Sequence, residues 1–123
     1  MKRYRVSIVT AADGSATVFT PRVSGEVHSV HYVKHGSTPF DDGVDFAVTS
    51  EATGENIWTE ANVDASAVRY PRAPRHSQAG AASLYAAGGT AVQDRVAIAN
   101  DRVKIVIAQG GNAKLGTVHV LID

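Results

Sequence analysis

DRVKIVIAQGGNAKLGTVHVLID, residues 101 to 123, ends the chain with two runs of alternating apolar and polar residues around a glycine-rich turn. Val103, Ile105 and Ile107 share one face of the first run, and Val118, Val120 and Ile122 share one face of the second. A period of two marks a half-buried β-strand, because successive side chains point to opposite sides of the pleat. The spacing predicts that the two runs pair as the central hairpin of the core, with QGGNAKLG, residues 109 to 116, as its turn. This turn resembles a phosphate loop only in its glycines, since no Gly-Lys-Ser/Thr follows and it links strands instead of opening a helix.

The same alternation recurs toward the N-terminus. Arg95 to Ala99 reads as a strand joined to the terminal pair through Asn100-Asp101. Tyr4, Val6 and Ile8 alternate with Arg5, Ser7 and Val9 and run into Ala12-Asp13-Gly14-Ser15, so residues 3 to 20 read as one hairpin turned at Asp-Gly. After Pro21, Val23 to Lys34 form a long strand whose inward set changes parity between Val27 and the pair Val30 and Tyr32, which predicts a bulge near His28. The turn HGSTPFDDG, residues 35 to 43, delivers Val44, Phe46 and Val48 to one face of the next strand, and a turn at Thr53 to Asn56 leads into Ile57, Trp58 and Thr59. Core packing is the default reading of Trp58, the single tryptophan. No stretch holds a sustained helical period; Ala79 to Ala87 allows two helical turns at most. The expectation is an all-β chain, residues 1 to 123 as one antiparallel β-sandwich or small barrel of about seven to eight strands.

Composition bounds the chemistry. With 123 residues the chain has the size of one domain, and without cysteine it has neither disulfides nor thiolate chemistry. Twelve Lys plus Arg balance twelve Asp plus Glu, so no overall field draws it to nucleic acid or to a membrane surface. Neither a signal-type apolar run nor a membrane-length segment is present, and the expectation is a soluble protein made in the cytoplasm.

Between the strand-like regions lies VRYPRAPRHSQAGAASLYAAGG, residues 68 to 89. A long stretch without strand pattern is unusual inside a compact domain, so it reads either as a solvated mobile loop or as a segment with a task. Pro71 and Pro74 favour extended geometry and would array Arg69, Arg72 and Arg75 along one edge of a polyproline-like ribbon, beside Tyr70 and His76. Leu84 and Tyr85 are the apolar anchors of the part that follows. The expectation is an extended arm over about residues 69 to 91, with Arg69, Tyr70, Arg72, Arg75, Leu84 and Tyr85 as partner-binding residues.

No catalytic, cofactor or metal site is expected. His28, His31 and His35 do not converge on a regular strand, where His28 and His31 take opposite faces. Asp41, Asp42 and Asp45 lack the EF-hand spacing and suit a turn. Neither G-x-S-x-G nor H-E-x-x-H occurs.

GVDF at 43 to 46, EATGENIW at 51 to 58 and DRVKIVIAQGG at 101 to 111 carry a resemblance that runs from about Val23 onward. There the chain resembles small virion proteins of tailed bacteriophages, of the kind encoded near the major capsid gene. The resemblance implies a capsid decoration or cement protein: a β-rich unit, often a homotrimer, bound to the major capsid protein on the outside of the shell. Its implied location is therefore the virion surface after synthesis in the host cytoplasm. Two other virion roles fit the same texture. One is a carbohydrate- or protein-binding module with Trp58 or Tyr32 stacking on a sugar, and the other a head–tail joining or tail protein that forms rings.

Overall fold

A computed structural model describes all 123 residues. It contains no helix, hence none long and apolar enough to cross a membrane. The strands are β1 (Lys2–Val9), β2 (Ala16–Phe19), β3 (Val23–Lys34), β4 (Asp45–Ser50), β5 (Asn56–Glu60), β6 (Ala67–Arg69), β7 (Ala73–Pro74), β8 (Gln93–Asp94), β9 (Val96–Asp101), β10 (Val103–Ala108) and β11 (Leu115–Ile122). One antiparallel sheet runs in the order β1-β11-β3-β6, with β9 also on β3; the second runs β2-β10-β4-β5. The two sheets curl around a common core as a sandwich-like half-barrel, while β7 and β8 form a small ribbon outside it.

Two expected hairpins are not hairpins. β1 pairs with β11 and not with β2, and β10 pairs with β2 and β4 and not with β11. Both chain segments change sheet at a corner, and the two corners lock together. Thr10 Oγ1 donates to the Gly111 carbonyl at 2.6 Å and accepts from the Lys114 N–H at 2.8 Å, while the Gly110 N–H donates to the Gly14 carbonyl at 2.8 Å. Gly14 stands at φ 83° with almost no room for a Cβ, which would come 2.9 Å from the Gly111 nitrogen. Asp-Gly does close a tight turn, with the Gly14 N–H donating to the Ala11 carbonyl at 3.0 Å, but β1 and β2 do not pair across it, and the positive φ also serves close backbone contact between corners.

β3 matches its expected bounds, and the expected bulge is present. Leu121 pairs with Ser29 and Ile122 with Val27, which leaves His28 as the extra residue. The bulge keeps Val27, Val30 and Tyr32 all inward; none exceeds 2% exposure. A single core of 20 residues joins both sheets. Tyr32, Phe40, Phe46 and Trp58 form its aromatic chain, with ring centroids 4.7 Å apart for Tyr32 and Phe46 and 5.2 Å for Phe46 and Trp58. Gly116 makes room for it, since a Cβ there would lie 2.5 Å from the Phe40 ring and 3.2 Å from that of Tyr32.

Two substitutions test this packing in opposite directions. Phe46→Ala is expected to lower unfolding free energy by about 3–5 kcal/mol through the cavity it leaves. Gly116→Ala should lower it by about 1–3 kcal/mol through overpacking. Urea unfolding of both variants is the check, and wild-type stability in either would contradict the core described.

Candidate functional site

β6 and β9 lie on the same edge of β3, one beyond the other. Val30, His31 and Tyr32 pair with Arg69, Val68 and Ala67, whereas Val27, Glu26 and Gly25 pair with Val96, Ala97 and Ile98. The bulge at His28 sits between the two attachments, so the chain linking β6 to β9 must leave the sheet there. That chain is the arm.

The arm is not a polyproline-like loop. Ala73 and Pro74 pair with Asp94 and Gln93, His76 bridges to Ala82, and Leu84 bridges to Ala91. The Arg75 N–H donates to the Val92 carbonyl, the Ser83 N–H to the Arg75 carbonyl, and the Val92 N–H to the Ser83 carbonyl, at 2.8, 3.0 and 2.8 Å. Three short antiparallel segments therefore share one stem and turn at Ser77 to Gly80 and at Ala86 to Gly89. Gly80 and Gly88 supply the left-handed backbone, at φ 81° and 68°. No helix forms over Ala79 to Ala87. Backbone hydrogen bonds shape this unit; side-chain burial does not, since Ser83 is the only residue from Pro74 to Thr90 that is even half-buried.

The expected partner-binding residues divide between root and tip. Arg69 turns back to the body: its Nε and Nη2 donate to Glu60 Oε1 and Oε2 at 2.8 and 2.9 Å, and its guanidinium lies 6.0 Å from the Trp58 ring centre. The Trp58 indole N–H donates to the same carboxylate at 3.1 Å. Tyr70, 59% exposed, meets His28 edge to face with centroids 5.8 Å apart. Arg72 donates to the Pro71 carbonyl, and Arg75 makes a loose 3.3 Å bond to Asp94, so both guanidiniums keep free donors. Leu84 and Tyr85 project from the outer part, at 42% and 76% exposure. The far root is held by Arg95, which donates to Asp123 at 2.5 Å. Tyr70, Arg72, Arg75, Leu84 and Tyr85 are available to a partner, and Arg69 is a latch.

Other expectations shift with the bulge and the core. His28 and His31 do converge, because Ser29 Oγ lies 3.0 Å from His28 Nδ1 and 3.1 Å from His31 Nε2. No group of three His or acidic side chains is placed to hold a metal ion. Trp58 and Tyr32, named for sugar stacking, are 6% and 2% exposed and lie within the core.

A second surface escaped the sequence reading. On the outer face of the first sheet, Arg5, His119, His31 and Val68 form one cross-strand rung, with Arg3–Leu121–Ser29 on one side and Ser7–Thr117–Val33 on the other. Val9, Val33 and Val68 there are 61, 47 and 43% exposed. The signal was the parity of these valines: Val9 and Val33 each follow an inward residue and so must face out.

Glu60 and Asp123 both titrate below the usual carboxylate values, chiefly because Arg69 and Arg95 respectively hydrogen-bond to them. A depressed folded pKa contributes stability above the unfolded value and loses it as pH falls. The unfolded values are 4.5 and 3.8, so the contribution of these two pairs to stability is expected to be level above about pH 5 and to decline through pH 4 and below. Because the Arg69–Glu60 pair is partly exposed, Glu60→Gln should remove only about 1 kcal/mol at pH 7. It should also flatten the acid limb of a melting-temperature profile; an unchanged limb would contradict the latch.

No protein family matches the chain, and no curated protein does. Among solved structures, the crystal structure of FLHE is similar to it, at 12% identity and a TM-score of 0.45, spanning 97% of this chain and 94% of that one.

Proposed function

We propose that the protein is a structural virion component of the decoration class, without catalytic activity, that docks on the major capsid lattice through its arm. The observation that carries this reading is a hydrogen-bonded ribbon that projects from the body and presents Arg72, Arg75, Leu84 and Tyr85 to solvent. Arginine and tyrosine are the side chains that most often anchor protein interfaces, the first through forked hydrogen bonds to carboxylates and the second through a large rigid ring. A lone small sandwich offers little contact area, and the arm extends it beyond the edge of its own sheet. Because the ribbon is already folded, docking orders fewer groups than capture of a free loop and loses less affinity to entropy. The resemblance of GVDF, EATGENIW and DRVKIVIAQGG to phage virion proteins supports the same partner and the outer shell surface as the location. A trimer around a symmetry axis is the assembly proposed, since avidity across repeated sites multiplies a modest single contact.

The pairing of Pro74 with Gln93 allows the arm to be removed cleanly, by replacing Arg75 to Val92 with an Asn-Gly turn. The shortened protein is expected to melt within a few degrees of the wild type and to lose occupancy on purified shells. Arg72→Ala with Arg75→Ala should weaken binding and reduce its salt dependence. Undiminished shell occupancy by the armless protein would end this proposal.

A further inference from the structure

β1 is a free edge of the first sheet, paired with β11 on one side only. A strand edge offers a row of backbone donors and acceptors to any extended chain that fits beside it. Its side chains limit which chain fits. Arg3 and Arg5 project on the outer face, while Tyr4 and Val6 on the inner face pack against the core yet stay half-buried. The groups facing Arg5 across the rung are His119 on β11, His31 on β3 and Val68 on β6, and none is acidic. His119 and Arg3 line a shallow depression of about 170 Å³ with His31, Val33 and Leu121. His119 Nδ1 is shielded there without a hydrogen-bond partner. Shielding first, and then the cations Arg3 and Arg5, keep its ring below the ordinary imidazole pKa. Around the Arg5 rung the face thus carries positive charge with no acidic side chain across from it, and the Asp123 carboxylate at the end of β11 is taken by Arg95.

We infer that the edge of β1 accepts an extended acidic segment of a partner protein as an added strand, its alternate carboxylates beside Arg3 and Arg5 and its intervening apolar side chains over Tyr4 and Val6. A second copy of this chain suits the edge less well: its β1 brings no carboxylate to Arg3 or Arg5, and the antiparallel registers centred on Tyr4 or Arg5 set arginine against arginine, where like charges directly opposite repel. Nucleic acid suits the face poorly, because exposed Val9, Val33 and Val68 interrupt its cations and no basic stripe continues beyond them. The site lies apart from the arm, and the inference does not depend on a shell being the partner.

The test titrates the intact protein with a short peptide of alternating Glu and Val, following backbone amide exchange and chemical shifts by NMR. The expected result is slowed exchange at alternate amides of β1 and shifts on the outer rung. Affinity should fall by roughly tenfold in Arg3→Gln/Arg5→Gln, a variant whose unchanged thermal melt shows that the fold is intact. A peptide with Gln in place of Glu should bind as weakly as that variant does. Absence of β1 protection at millimolar peptide, equal binding of the Gln peptide, or tighter binding of a single-stranded oligonucleotide would each overturn the inference.

Discussion

The constraint on which the rest of this structure depends is that one edge of β3 is shared by two strands. β6 takes Val30 to Tyr32 and β9 takes Val23 to Val27, so whatever joins them must depart at the bulge between. The departure is stabilised from both sides. Arg69 and Glu60 fix the outgoing chain, Arg95 and Asp123 fix the returning one, and Tyr70 rests against His28 at the bulge itself. An irregularity in the longest strand thus sets the position of the most exposed part of the molecule. The bulge simultaneously corrects the parity of β3, so the core and the arm depend on the same inserted residue.

Much of this was legible in the sequence where alternation is strict. The bounds of β3 and β10, the bulge near His28, the inward face of β4 and the burial of Trp58 all follow from which residues share a side. Partnership did not follow. Val103, Ile105 and Ile107 on β10 and Val118, Val120 and Ile122 on β11 are both inward sets, and two strands facing each other across a sandwich show the same pattern as two neighbours in one sheet. Only the interlocked corners at Thr10 to Gly14 and Gly110 to Lys114 separate the cases, and they are joined by backbone groups and by the single Thr10 hydroxyl, on which an apolar–polar pattern is silent.

The arm was legible as an exception but not as a shape. Alanine, glycine and serine carry no hydrophobic period, and the ribbon they form is held by backbone hydrogen bonds that any such residues can make. Arg69 shows the same limit from the other side. It was grouped with Arg72 and Arg75 by spacing, yet it occupies an inward strand position next to Val30 and reaches Glu60 on the opposite sheet. The surfaces left to partners are therefore two: an arm with free arginines and exposed Leu84 and Tyr85, and a cationic, valine-bearing sheet face ending at the open edge of β1. Both carry positive charge and both expose apolar side chains.

The central claim is that the arm has its shape before any partner arrives, standing clear of its own body. NMR of the free protein in solution tests this most directly, through NOEs between His76 and Ala82, Leu84 and Ala91, and Ala73 and Asp94, the three pairings that define the ribbon. The account predicts all three, with no NOE from Leu84 or Tyr85 to core residues. Random-coil shifts from residue 73 to 94 with none of these NOEs, or NOEs placing Leu84 and Tyr85 against the core, would contradict it.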